Sequence, residues 1–359
     1  MEEVNKKNNR ALDNKCPACH APILFNPKLG KWKCDYCNSE FSLDEMKKYN
    51  NASSEVVNEG VTGDDTSYES YRCKDCGAEI IADENTAATF CVYCGNTAIL
   101  KSKLSGKFAP TKIIPFKNVK EDAIAAFKHL KKGRPFLPSN FISEKNIEKI
   151  TGLYIPFWLY DLMSEGQIEA DCKKIKTWSV GNTHYTKTDT YKVTREGHMQ
   201  YQKIPVDGST RFENDIMNTI EPFDYNEMVD YNHAFLSGFL AEKYDVETDN
   251  AIKDAIDRAD TSTVTEMKNS IIGYSTVNVS NKNINVKEEK HEYALLPVWM
   301  VNVKYNDKYY TFAMNGQTGE FVGNMPISKK KVFIYATAIF AICFIAIVLI
   351  SYIAYVTGA

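Results

Sequence analysis

The chain has 359 residues, of which 44% are hydrophobic and 25% are charged, and its formal net charge is −3. This length corresponds to about two domains, and the ordinary apolar, Gly and Pro content excludes a collagen-like, wholly disordered or disulfide-scaffold protein. Residues 1–105 carry 13 Lys/Arg and 16 Asp/Glu, and residues 106–328 carry 27 and 30, so neither segment is basic. This charge balance argues against a phosphate-binding surface.

The first predicted elements are two copies of one cysteine motif, which follow a polar tail at residues 1–14. The tail lacks the apolar segment of a signal peptide, so we expect the thiols to face the reducing cytosol and to bind metal. In the motif, two Cys-x-x-Cys turns are separated by fourteen residues, and the second copy is offset from the first by 57 residues. The eight predicted ligands are Cys16, Cys19, Cys34 and Cys37, and then Cys73, Cys76, Cys91 and Cys94.

Two such turns place four thiolates tetrahedrally around one Zn²⁺ ion, at a Zn–S distance of about 2.3 Å. The pattern therefore predicts two four-cysteine zinc ribbons, at residues 15–41 and 71–100, and iron is the less favoured occupant. Each ribbon is too small to fold without its metal. Because protein sulfur fills all four positions, both ions are predicted to be structural, and no zinc catalysis is expected.

The residue after the second cysteine of each turn is informative, because the chain there often adopts a positive φ. Asn38, Gly77 and Gly95 suit that conformation. His20 holds the fourth such position, and two interpretations remain open for it. We favour a turn residue with positive φ, and the alternative is a metal ligand beside Cys19.

Two linkers are predicted around the second ribbon. Residues 42–70 are rich in Asn, Ser, Glu, Asp and Gly and are predicted to form a flexible linker, which makes the ribbons independent units. A second linker is predicted at residues 101–110. Residues 111–328 are then predicted to form a larger α+β domain of antiparallel sheet and helices.

The periodicity of apolar residues predicts the elements of this larger domain. They are a strand at 112–116, helices near 119–132 and 143–150, antiparallel strands over 153–212, helices within 225–270, and strands at 295–301 and 308–312. The segments 154–158 and 295–299 each place a proline two residues before a tryptophan, which is consistent with a duplicated half-domain. Trp158 and Trp299 are predicted to be core residues, and Pro156 and Pro297 predict edge or bulged strands.

A search for catalytic motifs returns none. The chain has no phosphate-binding loop, no Gly-x-Ser-x-Gly elbow and no His-Glu-x-x-His sequence. Cys172 lies next to Lys173 and Lys174, which could lower a thiol pKa, but without an evident base we expect a structural cysteine. We therefore predict that the protein is not an enzyme, while an unfamiliar active site within 111–328 is a further possibility.

Residues 332–356 contain no charged side chain and are preceded by a basic flank, Lys329 to Lys331. About twenty apolar residues span a bilayer as a helix, so this segment predicts a single transmembrane helix. The positive-inside rule then places the lysines and the bulk of the chain on the cytoplasmic side of the cell membrane. The protein is thus predicted to be tail-anchored.

These features together resemble a bacterial family of TFIIB-type zinc-ribbon-containing membrane proteins, an uncharacterised family sometimes mislabelled as primosomal-helicase-like. The resemblance covers nearly the whole chain and includes the eight cysteines. Its more specific strings are Tyr154-Ile-Pro-Phe-Trp-Leu-Tyr-Asp161, Leu296-Pro-Val-Trp299 and Asn315-Gly-Gln-Thr-Gly319. It implies no catalytic residues, and it implies partners among phage-shock-type or flotillin-like (SPFH) proteins of envelope-stress systems.

Two functions are weighed on these grounds. The first is a membrane-tethered adaptor that recruits cytoplasmic proteins. The alternative is a nucleic-acid-binding zinc-ribbon protein tethered to the membrane. The acidic balance of the N-terminal third argues against the alternative, since each four-thiolate zinc site adds two further negative charges.

Overall fold

The computed structural model describes residues 15–54, 69–73, 77, 79–82, 99–102, 110–138, 141–143, 147, 149–211, 214–306 and 308–357. Within these residues the protein has a mixed α+β fold built on one large sheet, which confirms the predicted class. The described α-helices are α1 (Leu43–Ser54), α2 (Lys120–His129), α3 (Asn214–Ile220), α4 (Thr248–Asn269) and α5 (Lys329–Thr357). The strands before the larger domain are β1 (Leu24–Asn26), β2 (Lys31–Lys33), β3 (Glu40–Phe41), β4 (Glu69–Cys73), β5 (Glu79–Ala82) and β6 (Ile99–Ser102). Those of the larger domain are β7 (Lys112–Ile113), β8 (Thr151–Val180), β9 (Thr183–Asp207), β10 (Val229–Asp230), β11 (Leu240–Glu242), β12 (Thr276–Tyr305), β13 (Lys308–Asn315) and β14 (Phe321–Gly323).

The strands form two sheets. A small sheet has the order β1-β2-β3, and the large sheet has the order β10-β7-β12-β8-β11-β5-β4-β6. In addition, β9 pairs with β8, β13 pairs with β12, and β14 pairs with β13. Most neighbours are antiparallel, as expected, but β11 runs parallel to β8 and β7 runs parallel to β12. The large sheet is therefore mixed rather than purely antiparallel.

Two of the predicted helical segments contain helices that are shorter than the patterns suggested. α2 covers 120–129 of the expected 119–132. Within 225–270 the α-helix occupies only 248–269, because two 3-10 turns and the strands β10 and β11 precede it. Of the helix predicted at 143–150, the structure describes only residues 143, 147, 149 and 150.

Three very long strands, β8, β9 and β12, project from the sheet as an arm, which we define as residues 161–201 and 276–290. Side chains on β8 alternate between the two faces, as the period of a strand requires. One face carries Ile168, Ala170 and Cys172, which are fully buried against Met267 and Ile271 at the end of α4. Cys172 is thus a core residue of the arm, as predicted.

The two Pro-x-Trp segments occupy equivalent positions on adjacent antiparallel strands. On β8, the pairing with β11 ends at Tyr154 and the pairing with β9 begins at Phe157. On β12, the pairing with β7 ends at Leu295 and the pairing with β13 begins at Val298. The same change of partner at both prolines is consistent with a duplicated half-domain.

The edge-or-bulge prediction for the two prolines is wrong, since β8 and β12 are interior strands. Each proline lies where its strand changes partner on one side, so no ladder hydrogen bond from a proline nitrogen is needed there. The carbonyl oxygens still accept hydrogen bonds, from Gly208 N to Pro156 O at 2.9 Å and from Gly316 N to Pro297 O at 2.8 Å.

The two cysteine motifs are not independent units, which corrects that prediction. β5 pairs with β11, so the second motif is continuous with the large sheet. In the first motif, Trp32 Nε1 donates to Ala234 O at 2.9 Å, and Phe25 and Trp32 both pack on Phe235. The prediction rested on the polar composition of the segment between the motifs. That composition carries no information about the apolar side chains that each motif buries against the rest of the protein.

The predicted linkers are likewise partly structured. α1 occupies 43–54 of the segment 42–70, beginning after Ser42, which exchanges hydrogen bonds with Glu45 in a capping arrangement. β6 extends to Ser102 in the segment 101–110, and its residue Lys101 pairs with Tyr71. Residues 55–68 and 103–109 lie outside the described part of the chain.

The predicted membrane segment is one continuous helix. By length and composition, α5 is long and apolar enough to cross a membrane. Its most apolar part, within Lys329–Ile350, is not buried in the protein. The helix begins beside the segment 136–138, because Ser328 N donates to Phe136 O at 2.9 Å and Lys331 Nζ donates to Leu137 O at 2.7 Å. The ring of Phe141 packs on Tyr305 and Tyr310, so α5 starts at the end of β12 opposite to the tip of the arm.

Candidate metal centre

The sulfur atoms of Cys16, Cys19, Cys34 and Cys37 all lie within 4.8 Å of one another, an arrangement that could hold a metal ion. The Sγ atoms of Cys16 and Cys37 are 3.5 Å apart, as are those of Cys19 and Cys34. Four sulfurs at about 2.3 Å from one Zn²⁺ ion in a tetrahedron are about 3.8 Å from one another. The four thiols therefore fit a tetrahedral metal site.

The two turns of this site share one backbone geometry. His20 N donates to Cys16 O and Asn38 N donates to Cys34 O, each at 2.8 Å. The φ angles of His20 and Asn38 are 59° and 58°, which is the left-handed conformation expected after the second cysteine. Small hydrogen-bonded turns of this kind direct the two thiols of each turn toward a common point.

His20 acts as a turn residue in the described structure. Its Nδ1 atom lies 3.2 Å from the hydroxyl oxygen of Tyr49 on α1, and its ring is not part of the sulfur cluster. This supports the favoured interpretation of His20 over its role as a ligand.

The chemistry of Cys37 suits a bound cation. The hydroxyl of Ser39 lies 3.2 Å from Cys37 Sγ, and this contact, together with the Ser39 backbone N–H, lowers the pKa of Cys37. A thiolate is the form that binds metal, so these donors favour the ligating state. In the same cluster the Ala21 backbone lowers the pKa of Cys19, but burial and the neighbouring thiols outweigh it and raise that pKa. Cys16 and Cys34 are buried, whereas Cys19 and Cys37 are exposed.

The second motif is described only in part, since Cys76, Cys91 and Cys94 lie outside the described residues. Its first turn nevertheless repeats that of the first motif. Gly77 N donates to Cys73 O at 3.0 Å, and the φ of Gly77 is 70°. The bridge between Lys15 and Pro22 also has its counterpart, at the same offset of 57 residues, in the pairing of Arg72 with Glu79.

A buried polar cluster beside the second motif was not found by sequence reasoning. Glu242 on β11 is buried, and its carboxylate accepts from Ser209 Oγ at 2.8 Å and pairs with Arg211 Nε at 3.1 Å. Arg211 Nη2 also points at Gly77 O, at 3.5 Å. Burial in the first place, with the nearby negative charges of Glu242 and Asp245, raises the pKa of Asp207 to about 8. No sequence signal marks this cluster, because its members come from three separate segments.

Two surface cavities were also not predicted. One, of about 410 Å³, is lined by the aromatic residues Trp158, Tyr244 and Tyr293. The other, of about 670 Å³, lies at the C-terminal end of α2 and is lined by His129, Lys132 and Arg134. The smaller cavity is also lined by Thr111, Lys290 and His291, and His291 Nδ1 lies 2.6 Å from Glu288 Oε1.

Comparison with known proteins gives one informative match. No protein-family model and no solved structure matches the chain, so the resemblance to TFIIB-type zinc-ribbon proteins stays a prediction. The chain is 37% identical over 340 residues to "Uncharacterized protein YdjG" of Bacillus subtilis (strain 168), and the match covers 95% of this chain and 97% of that protein. Similarity at this level over almost the full length of both proteins shows common descent, and the chain therefore belongs to the same family as YdjG.

Proposed function

We propose that this protein is a non-enzymatic, membrane-anchored adaptor that binds an acidic partner protein through the tip of its arm. The observation that carries the proposal is a stacked pair of exposed aromatic side chains, Trp178 and Tyr185, at the end of the arm opposite to α5. An anchor at one end and an exposed recognition surface at the other suit recruitment rather than catalysis.

The anchor is α5, which we propose to cross the cell membrane once. Lys329 to Lys331 precede the apolar residues, and the positive-inside rule assigns them and the large sheet to the cytoplasm. The arm leaves the end of the sheet opposite to α5, since β12 runs from Thr276, paired with Lys173 in the arm, to Tyr305 near α5. At about 3.3 Å per residue, this strand extends over roughly 90 Å. The tip is then remote from the bilayer surface.

The cysteine motifs are proposed to hold two structural Zn²⁺ ions, one per motif. The four clustered thiols of the first motif, and the identical turn at Cys73 in the second, support this assignment. Because both motifs pack on residues 234–242, the ions stabilise this part of the large sheet rather than a separate recognition module.

The tip has the residue types that dominate protein interfaces. The rings of Trp178 and Tyr185 stack with centroids 5.6 Å apart and an interplanar angle of 13°. Trp178 is 49% exposed, Tyr185 44% and Val180 62%. Trp and Tyr are among the residues that contribute most to binding energy at protein interfaces. A group of large apolar side chains that stays exposed to solvent is typical of an interaction site. In the described part of the chain, the outer edges of β9 and of the tip half of β12 also pair with no further strand.

The charge of the tip indicates what kind of partner it fits. Residues 173–192 contain five lysines and one aspartate, a net charge of +4 in a chain whose total is −3. Lys174 Nζ also lies over the rings of Tyr191 and Tyr274, at 5.6 and 5.2 Å from their centroids. A surface of lysines and aromatic rings complements an acidic partner.

The test is site-specific photo-crosslinking of the full chain in its native membrane. A photoreactive phenylalanine derivative at Val180 should form an adduct with one acidic protein, identified by mass spectrometry. The purified partner should bind the reconstituted chain, and Trp178→Ala with Tyr185→Ala should weaken that binding at least tenfold. The matched control replaces Tyr36, an exposed tyrosine of the first cysteine motif, with alanine and should leave binding unchanged.

Other adducts would overturn the proposal. Labelled nucleic acid in the Val180 adduct would favour the alternative function, since lysines and stacked rings also suit single strands. A lipid adduct would place the tip at a membrane, and the absence of any adduct would leave the arm without a partner.

A further inference from the structure

A second basic surface lies at the other end of the molecule, where α5 leaves the large sheet. Its first part is the end of α2 and the turn that follows, with Lys128, Lys131, Lys132 and Arg134, all exposed. Its second part is Lys329 to Lys331 at the start of α5. We call these seven residues the juxtamembrane surface.

The two parts are far apart in sequence and are joined by specific contacts. Lys331 Nζ donates to Leu137 O at 2.7 Å, and Ser328 N donates to Phe136 O at 2.9 Å. The rings of Phe136 and Tyr335 meet edge-to-face, with centroids 5.4 Å apart. Phe136 belongs to the turn and Tyr335 to α5, so the basic turn is held at the level where α5 becomes apolar.

The surface has no compensating negative charge in its own segments. Neither residues 123–142 nor residues 321–359 contain an Asp or a Glu. Phe136, 39% exposed, and Ile327, 68% exposed, add apolar side chains to the same surface. The cavity of about 670 Å³ lies among His129, Lys132 and Arg134 and has room for a lipid headgroup.

We propose that the juxtamembrane surface binds the anionic headgroups of the leaflet that α5 enters, an inference that rests on the proposed spanning role of α5. Clusters of Lys and Arg beside a transmembrane helix are attracted to anionic lipids, and exposed aromatic side chains suit the interfacial region. Contacts from both α2 and α5 would fix the orientation of the large sheet on the bilayer, so that the arm points away from it.

Native mass spectrometry of the full chain tests the proposal. The protein is released from micelles of a zwitterionic detergent to which equal amounts of phosphatidylglycerol and phosphatidylcholine have been added. The lipids that stay bound to the protein are then counted. We expect the wild type to retain at least five times more phosphatidylglycerol. The variant Lys131→Gln/Lys132→Gln/Arg134→Gln should lose most of this preference, and Lys131→Arg/Lys132→Arg should keep it.

The arm tip supplies a matched control. Lys173→Gln/Lys174→Gln/Lys176→Gln also removes three positive charges, but at a site far from α5. This variant should retain the wild-type lipid ratio. Equal losses in both triple variants would show an effect of net charge alone and would overturn the proposal. Displacement of the lipid by millimolar inorganic phosphate would also overturn it, in favour of a free-anion site.

Flotation with vesicles separates this inference from the proposed function. If the full chain fails to float with phosphatidylcholine vesicles, the anchoring role of α5 is wrong. If it floats but retains both lipids equally, only the headgroup-binding surface is wrong. Thermal unfolding of each variant, compared with the wild type, shows that the altered surface has not unfolded the sheet.

Discussion

Trp158 and Trp299 donate their indole N–H groups to backbone carbonyls that each lie two residues before a helix. Trp158 Nε1 donates to Val246 O at 2.8 Å, ahead of α4, and Trp299 Nε1 donates to Asn118 O at 3.1 Å, ahead of α2. Each tryptophan therefore ties its central strand to the segment that precedes a helix, and the two hydrogen bonds are equivalent. Both side chains are nearly buried, at 7% and 6% exposure.

We expect Trp158→Phe and Trp299→Phe each to lower the free energy of unfolding by about 2 kcal/mol, because each leaves a carbonyl oxygen without its donor and removes buried ring area. Chemical denaturation of the full chain in detergent measures this effect. Trp178→Phe, on the exposed arm tip, should change stability by less than about 0.5 kcal/mol. A cost at Trp178 equal to that at the other two would refute the shared structural role.

Gly316 and Gly197 differ in the space around them. A Cβ atom on Gly316 would lie 2.6 Å from Phe116 Cδ1 and 2.8 Å from Pro297 Cβ, whereas one on Gly197 would meet only Met267 Cε at 3.9 Å. Gly316→Ala should therefore lower the melting temperature and cost about 2 kcal/mol, because the buried Phe116 has to shift. Gly197→Ala should have little effect, and a similar loss from both would contradict this account.

Asp207 should make stability depend on pH. An unfolded aspartate titrates near pH 3.9, whereas burial raises the pKa of folded Asp207 to about 8. Between these values the unfolded chain binds fewer protons, so the free energy of unfolding falls as the pH rises from about 4 to about 8. Asp207→Asn should flatten that slope and raise the melting temperature at pH 8. Asp254→Asn, on the exposed side of α4, should keep the wild-type slope.

Metal content should follow the four clustered cysteines. Cys34→Ser should lower the zinc bound per chain by about one ion, measured by mass spectrometry of the acid-digested protein, because one of the four ligands of that site is lost. Cys343→Ser removes a thiol on the exposed surface of α5 and should leave the zinc content unchanged. Full wild-type content in Cys34→Ser would show that the cluster does not hold the ion.

Local patterns predicted the elements better than their partners. The spacing of Cys16, Cys19, Cys34 and Cys37 was enough to predict that their four thiols lie together, because the chemistry of a tetrahedral site fixes the number and type of ligands. The pairing of β5 with β11 was not predictable, since it depends on contacts between segments far apart in sequence. The proline rule failed at Pro156 and Pro297 for the same reason. The rule states that proline cannot donate a backbone hydrogen bond. Whether a neighbouring strand needs that hydrogen bond depends on the pairing of the strands, which the sequence does not show.

The charge analysis did not reveal two local basic clusters, because it averaged over long segments. Residues 106–328 are acidic in total, yet they contain both the arm tip and Lys128 to Arg134 of the juxtamembrane surface. The fold separates these clusters from the carboxylates that balance them in the count. Only the positions of the strands and of α5 show that one cluster lies beside the apolar helix and the other at the far end of the arm.

The docking of both cysteine motifs on residues 234–242 has a consequence for biosynthesis. Trp32 hydrogen-bonds Ala234 and β5 pairs with β11, so each motif is completed by chain that leaves the ribosome long after it. We expect the nascent chain to capture its metal before the sheet exists, and a translation product ending before Leu240 to bind zinc while leaving the strand edge of β5 open. Chaperones would meet that edge during synthesis and lose access to it once β11 arrives.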